Sequence, residues 1–294
     1  MKVLNFGSLN IDYGYSGDHF VRAGETLSSE KMEKFCGGKG LNQSIALARA
    51  GAPVYHAGIV GAEGKMLTDV LEQYGVNTQF VKKSPSSNGH AIIQIDKNGQ
   101  NCILLYGGTN REITPEMVDE VLENFSAGDI LVLQNEINCM DTILQKAHEK
   151  GMRIALNPSP IDESLKELPL EYVTWFLLNE VEGNELTGET DPETIAVKLR
   201  EKYPAGRIGL TLGKQGVLYY DGGEFLRHGI YPTKVVDTTA AGDTFTGFFL
   251  SCVLQGKSEA IALELASKAS SIAVSIKGAA NSIPTMEEVL DFKL

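Results

Sequence analysis

The chain has 294 residues, 43% of them hydrophobic, and a net charge of −12 at pH 7, enough apolar residues for a full core in one large α/β domain or two smaller ones. No Lys/Arg cluster offers a footprint for a phosphate backbone, so nucleic acid is not an expected partner. The four cysteines (36, 102, 139, 252) are scattered without a C-x-x-C pair, no apolar run approaches the ~18 residues of a membrane span, and Met1–Asp12 turns polar too soon for a signal peptide. These features predict a soluble, cytoplasmic protein with no membrane partner and argue against a zinc site or a disulfide framework.

In chain order, Lys2–Ser8 reads as a buried strand with Asn10 and Asp12 just past its end. Ligands of open α/β sheets sit outside the carboxyl ends of strands, so two short polar side chains there face a ligand or make an Asx turn. In residues 13–35, Tyr13 and Tyr15 alternate with glycines, Ala23-Gly24-Glu25-Thr26 reads as a turn and Leu27 to Phe35 is mixed, which predicts short strands outside the main sheet. GGKGLN (37–42) then leads into a helix with Ile45, Leu47 and Ala48 on its apolar face. Its glycines permit close backbone approach or positive φ, and Lys39 and Asn42 are placed to reach a polyol; a plain strand-to-helix turn is the alternative. The spacing is not that of a P-loop, and Gln43 stands where a dinucleotide fingerprint needs its third glycine.

From residue 53 strands and helices alternate. Val54–Val60 is a predicted strand, Lys65–Tyr74 a helix closed by Gly75, and Thr78–Val81 a strand. Gly89–Asp96 and Asn101–Tyr106 form a predicted hairpin around Asn98-Gly99. With residues 13–35 this hairpin is expected to make a small sheet that closes as a lid over the sheet edge, since closure excludes water from a site. Pro115–Asn124 is a helix capped by Thr114, Ile130–Leu133 a strand ending in Gln134-Asn135-Glu136, Met140–Lys150 a helix, and Arg153–Leu156 and Val173–Leu178 strands. NEVEGNE (179–185) starts the next helix. Asn179 and Glu182 share a face near its N-terminus, placing a carboxylate for a hydrated Mg²⁺ or making a capping pattern. Ile208–Thr211 is a strand whose following Gly213 and Gly216 bracket either a loop over a nucleotide or a hairpin turn. A strand follows at Glu224–His228. The last predicted helix, about 258–276, carries Ile261, Leu265, Ala269, Ile272 and Ile276 on one face, and Ile283-Pro284 closes the predicted core fold.

The most informative stretch is VDTTAAGDTFTG (236–247). Phe245, Phe248, Phe249, Cys252 and Val253 recur at helical spacing, so Ala240, Ala241 and Gly242 lie at a helix start with Asp243 in the first turn. Small residues there leave N–H donors uncovered at the positive end of the helix dipole, an anion-binding arrangement with a carboxylate at its rim. That pairing suits phosphoryl transfer to a hydroxyl, with the amides stabilising charge and the aspartate accepting the proton. An acidic residue in a first turn also serves as plain capping, and this stretch alone leaves both readings open. Five polar clusters (10–12, 37–42, 134–136, 179–182, 237–243) fall at predicted strand ends or helix starts. The alternation predicts a three-layer, doubly wound, mostly parallel sheet with a small β lid (about 13–35 and 89–106), a single domain over 1–294, and one edge on which these clusters meet.

In this order the clusters resemble the ribokinase-like (PfkB-type) family of carbohydrate kinases, over nearly the whole chain from Ser8-Leu9-Asn10-Ile11-Asp12 to Ile283-Pro284. GGKGLNQSIALARAGA (37–52) is similar to the family's first signature, VVDTTAAGDTFTGFF (235–249) to its second, D-T-x-x-A-G-D, and LNEVEGNELTG lies between them. The resemblance implies an ATP-dependent kinase acting on a primary hydroxyl of a free sugar. Asp243 would be the base, and the amides of Ala240 to Asp243, with Ala241 and Gly242, the anion hole. It places Asn10, Asp12, Gly38, Lys39, Asn42 and Glu136 on the sugar, Asn179 and Thr211 through Gly213 to Gly216 on ATP, and Glu182 on water-bound Mg²⁺. It implies a K⁺ site from Asp237, Thr239, Ala273, Ile276, Gly278 and Ser282, several through carbonyls, and a homodimer joined through the lid. Asn10-x-Asp12, GGKGLN and Glu136 after Gln134 are most similar to the ribose-phosphorylating members, with nucleoside and ketohexose kinases as the alternatives. Two departures stand out: residues 12–26 lack the proline-rich run common before Gly-Glu-Thr, and Ser267-Lys268 replaces an asparagine common near the adenine.

Overall fold

The computed structural model describes residues 1–292; the last two residues of the expected 1–294 domain lie outside the described residues. Its strands are β1 (Val3–Phe6), β2 (Asn10–Ser16), β3 (Lys31–Gly37), β4 (Val54–Val60), β5 (Asn77–Lys83), β6 (Gly89–Ile95), β7 (Asn101–Tyr106), β8 (Ile130–Gln134), β9 (Arg153–Asn157), β10 (Trp175–Asn179), β11 (Arg207–Thr211), β12 (Val217–Tyr220) and β13 (Leu226–His228). Its helices are α1 (Lys39–Arg49), α2 (Lys65–Gln73), α3 (Pro115–Leu122), α4 (Met140–Glu149), α5 (Glu180–Thr187), α6 (Pro192–Lys202), α7 (Ala241–Leu254), α8 (Glu259–Ala273) and α9 (Met286–Asp291).

Nine strands form the central sheet in the order β13-β12-β11-β10-β9-β8-β1-β4-β5. From β11 to β5 every pairing is parallel, and only β12 and β13 turn back antiparallel. Strand alternation assigns residues to two cores. Ile130, Val132, Trp175 and Leu177 pack with α1, α7 and α8 on one face. Leu131, Leu133, Phe176 and Leu178 pack with α3, α4 and α6 on the other. This is the doubly wound three-layer arrangement that the alternation predicts. The second sheet has the order β3-β2-β6-β7, with β2 and β6 parallel. It is the small sheet expected from 13–35 and 89–106, but it begins earlier: Asn10 and Asp12 belong to strand β2 rather than to a turn after β1.

Three expectations need correction. The last long helix stops at Ala273, and its buried face is Ala262, Leu265, Ala266, Ala269 and Ala273, while Ile261 and Ile276 are 46% and 41% exposed. Close packing against α7 selects the small residues, whereas a reading by hydrophobic size follows the isoleucines. The helix ends there because the Val274 carbonyl accepts from the Val236 and Asp237 amides (2.8 and 3.1 Å), which pins the loop before α7. Ile283-Pro284 does not close the fold: α9 follows, with a capping box between Thr285 and Glu288. Helix α6, capped by Asp191 with Pro192 at its first position, was not expected either.

Helix α7 is buried nearly all round, including Thr244, Thr246 and Leu250 as well as the predicted phenylalanine face. Its seam with α1 is tight. A Cβ on Gly247 would lie 2.4 Å from Ala46 Cβ and 2.7 Å from the Leu47 nitrogen. Gly247→Ala is therefore expected to destabilise the protein by about 3 kcal/mol through overpacking, read as a drop in melting temperature of several degrees; an unchanged melting temperature would show that the seam opens freely.

Candidate active site

Because β1, β8, β9, β10 and β11 run parallel, their carboxyl ends lie on one edge. The segments that leave that edge are Gly7-Ser8, Gln134–Glu136, Asn157, Asn179 and Thr211. A cavity of about 210 Å³ opens there, lined by Lys39, Asn157, Asn179, Glu182, Thr211, Thr238, Ala240, Ala241, Gly242 and Asp243 among others. A second, mostly apolar cleft of about 350 Å³ adjoins it, sharing Thr211, Thr238, Ala241, Gly242 and Phe245 and extending past Gly213, Gly216, Val217, Ile230, Tyr231, Val235 and Ser267. The part of this wall formed by Ile230, Tyr231 and Thr233 was invisible in the sequence, because residues 229–240 form no regular element and carry no periodicity.

The start of α7 is set by its backbone. Ala240 caps the helix in the left-handed region at φ 60°. The Ala241 amide donates to the Thr238 carbonyl at 3.3 Å. The amides of Ala240, Gly242 and Asp243 have no acceptor among the described residues, so three of the four expected anion-hole donors are free. Asp243 is 9% exposed. Its Oδ2 accepts from Asn42 Nδ2 at 3.1 Å and its Oδ1 from Gln43 Nε2 at 2.9 Å. The Asn42 Oδ1 is buried without a partner.

The glycine motif explains how α1 reaches this position. Gly38 has φ 95°, a conformation that suits glycine. A Cβ on Gly40 would sit 2.3 Å from the Ser8 nitrogen, so α1 meets the end of β1 backbone to backbone. Ser8 donates a hydrogen bond to Glu136, whose carboxylate also accepts from the Lys39 amide at 3.1 Å. Burial first, then the nearby Asp243 charge, raise Glu136 against the lowering effect of Ser8 and Lys39. Burial also works against the Lys39 ammonium, but Asp243, Glu136 and Glu182 outweigh it and the net shift is upward. Asn10 accepts from Asn110 Nδ2 at 2.7 Å, a partner that the sequence did not single out. Asn10, Asp12, Gly38, Asn42 and Glu136 do not line the central cavity themselves. They form a neighbouring group joined to it by the Glu136–Lys39 and Asn42–Asp243 contacts.

Asn179 and Glu182 make a complete capping box. The Asn179 Oδ1 accepts from the Val181 and Glu182 amides, and Glu182 Oε2 accepts from the Asn179 amide at 3.0 Å. Both still line the cavity. Gly213 and Gly216 bracket the antiparallel β11–β12 turn, as the hairpin reading has it, and both border the second cleft. Asp237 Oδ1 accepts from the Thr239 amide and hydroxyl, and its Oδ2 from the Gly278 amide at 2.9 Å. Burial raises the Asp237 carboxyl, yet these three donors hold it below the usual range. The bonds bring 237–239 against 274–278; Ser282 is buried and donates to the Ala279 carbonyl at 2.8 Å. This set offers one carboxylate and otherwise neutral oxygens, which fits a hard monovalent cation. Among the described residues no group of three or more His, Cys, Asp or Glu is placed to hold a metal. A single carboxylate, Glu182, with one oxygen outside its cap, fits Mg²⁺ carried largely by phosphates and water.

The profile of the pfkB family carbohydrate kinases matches residues 1–286. The chain belongs to this family. It is 34% identical over 295 residues to the ribokinase of Haemophilus influenzae, covering 97% of this chain and 96% of that one. Among solved structures it is similar to ribokinase from Cryptococcus neoformans in complex with ADP (TM-score 0.86, 32% identity, 99% of both chains). It is also similar to Arabidopsis thaliana ribokinase complexed with ribose and ATP (TM-score 0.87, 28% identity, 99% of both chains).

Burial, and secondarily the Glu136 charge, push the Asp12 carboxyl up to about 7. An acid raised in the folded state contributes stability that is present below its unfolded value, 3.8, and is lost as pH rises through about 7. Asp12→Asn should therefore gain on the parent between pH 5 and pH 8, by a melting-temperature difference on the order of 5 °C after discounting for partial exposure; a difference that is flat with pH would contradict this environment for Asp12.

Proposed function

We propose that this pfkB-family kinase transfers the γ-phosphoryl group of ATP to the primary hydroxyl of D-ribose, giving ribose 5-phosphate and ADP. The observation that carries the reading is the Asp243 carboxylate, held at the amide-bearing start of α7 where two clefts meet. Ribokinases of similar length and fold, one with ribose and ATP bound, support ribose as the sugar.

The sugar sits between the lid and the edge of the sheet, on Asn10, Asp12, Gly38, Lys39, Asn42 and Glu136. The unpartnered Asn42 Oδ1 is ready to accept from a sugar hydroxyl. ATP lies across the two clefts, its phosphates near Asn179 and Gly242 and its base past Thr211, Gly213 and Gly216. Asp243 takes the proton from the hydroxyl as that oxygen bonds to the γ-phosphorus and the bond to the ADP oxygen breaks. The free amides of Ala240, Gly242 and Asp243 and the Lys39 ammonium face the charge that develops on the transferring group. Glu182, through water, would hold Mg²⁺, which would neutralise phosphate charge. Asp237, Thr239, Ala273, Ile276, Gly278 and Ser282, several through carbonyls, would hold K⁺, which would order the anion hole.

The chain works as a single domain with a lid. The strand β7 exposes Ile103, Leu104 and Tyr106, each more than half accessible, and we assign the lid's apolar surface to a second copy in a homodimer. No helix among the described residues is long and apolar enough to cross a membrane; the cytoplasm is the location we propose for the enzyme.

Purified protein assayed for ADP release against ribose, deoxyribose, fructose and a set of nucleosides should show the highest kcat/KM on ribose. A nucleoside or ketohexose preferred over ribose would replace the substrate assignment. Asp243→Asn should keep its fold by circular dichroism and lose roughly 10²–10⁴ in kcat, the scale of a lost general base. Turnover in K⁺ should exceed that in tetramethylammonium, and equal rates in both would remove the cation site.

A further inference from the structure

Asp243 reaches the interior of the protein through a chain of buried amides. Gln43, whose Nε2 donates to Asp243 Oδ1, turns its Oε1 to Gln134 Nε2 at 2.7 Å. The same Gln134 nitrogen donates to Asn5 Oδ1 at 3.0 Å. Asn5 Nδ2 donates to the Gly40 carbonyl at 2.8 Å and to Ser44 Oγ at 2.9 Å. Ser44 Oγ lies 2.7 Å from His56 Nδ1, and His56 Nε2 lies 3.1 Å from the Gly7 carbonyl. Asn5, Gln43, Ser44, His56 and Gln134 are all at most 1% exposed.

A carboxamide has nearly the same shape either way round, so shape alone does not decide whether Gln43 shows Asp243 a donor or an acceptor. The network decides it from two backbone carbonyls, which can only accept. The Gly40 carbonyl requires the Asn5 nitrogen, so the Asn5 oxygen faces Gln134. Gln134 must then present its nitrogen to Asn5, and the same nitrogen meets the Gln43 oxygen. Gln43 is left with its nitrogen toward Asp243. At the far end the Gly7 carbonyl requires a proton on His56 Nε2, so Nδ1 accepts from Ser44, and the Ser44 oxygen is free to accept from Asn5. Burial pushes His56 down to about 4, so the ring is neutral near pH 7 and adds no charge to the chain. One atom is sacrificed: Gln134 Oε1 is buried with no partner, which is unfavourable for stability and is tolerated where a site needs the geometry.

We propose that Gln43 is a positioning residue for the Asp243 base, and that Gln134 and Asn5 lock its amide so that a donor always faces that carboxylate. The proposal rests on the reading of Asp243 as the base. The lock holds the carboxylate in one rotamer beside the free amides of α7, with a donor always on its Oδ1. The other charged groups acting on Asp243 are the Lys39 ammonium at the start of α1 and the Glu136 carboxylate after β8. The substitutions below leave both in place.

The test uses the full-length chain with ATP, Mg²⁺ and ribose, reading kcat, KM and melting temperature for the parent, Gln43→Met, Gln43→Glu and Asp243→Asn. Gln43→Met should lower kcat by about 10- to 100-fold, the scale of a hydrogen bond to a charged group. The sugar KM should stay within about threefold, because Gln43 does not touch the sugar. The loss should therefore sit in kcat rather than KM, with a melting temperature close to that of the parent. Gln43→Glu keeps the shape and the acceptor toward Gln134 but places a carboxylate against Asp243 in place of the donor; it should lose kcat at least as far, and it decides the matter if Gln43→Met does not fold. A kcat that falls only in step with melting temperature, or together with a rise in KM, would make Gln43 a structural residue and overturn the proposal. If Asp243→Asn retains parent-like turnover, the base reading itself fails and takes this inference with it; if Asp243→Asn is inactive while the Gln43 variants keep the parent kcat, only the positioning role falls.

Discussion

The contact on which the site depends is the one that Asp243 makes with Asn42 and Gln43 across the seam of α1 and α7. The partners are some two hundred residues apart, so nothing local brings them together. What brings them together is packing: Gly247 lets α7 lie against Ala46, and Gly40 lets α1 lie against the end of β1. A closer or wider seam would move the carboxylate relative to the free amides at its own helix start, and preorganised charge stabilisation tolerates little displacement. The tight seam and the anion hole are therefore one construction, built from glycines whose role is the absence of a side chain.

Much of the architecture was legible because it is periodic. The switch between alternating and helical spacing gave β4 and β11 to within a residue, and the Asn-Gly turn marked the β6–β7 hairpin. What was not legible had weak or misleading periodicity. Helix α6 buries only Ile195, Ala196 and Leu199, and α9 buries only Val289, so their caps were the better signals. On α8, Leu265, Ala269 and Ile272 of the expected face meet the core, but Ile261 and Ile276 stay exposed, because a helix pressed close against its neighbour presents alanines. Residues 229–240 carry no repeating pattern, yet Ile230, Tyr231 and Val235 wall the second cleft, a role that only tertiary placement reveals.

The site residues were legible to the extent that polar side chains at strand ends are unusual enough to notice. Asn10, Asp12, Lys39, Asn42, Glu136, Asn179 and Asp243 all fall on the edge where the parallel strands end. The sequence could not separate them into the two groups that the structure shows, one around the cavity and one joined to it by the Glu136–Lys39 and Asn42–Asp243 contacts. Gln43 had been noticed only as the residue that spoils a dinucleotide fingerprint, and its partner Gln134 only as the neighbour of Glu136. An amide network of this kind leaves no mark in spacing, because its members come from β1, α1 and β8 and meet only when the sheet is formed.

Capping and ligand binding at residues 179–182 look like rival explanations in a sequence, but the side chains have two ends. In the capping box Asn179 uses its oxygen, and its nitrogen makes no hydrogen bond among the described residues. Glu182 accepts through Oε2 and keeps Oε1 for the cavity that both residues line. The cap thus orients both groups: it removes their rotamer freedom before a ligand arrives, so less entropy is lost on binding. Asp237 is fixed in a similar way, since its three accepted hydrogen bonds pin the loop before α7. A residue that caps keeps part of its polar capacity unused, which is why spacing alone does not choose between the two readings.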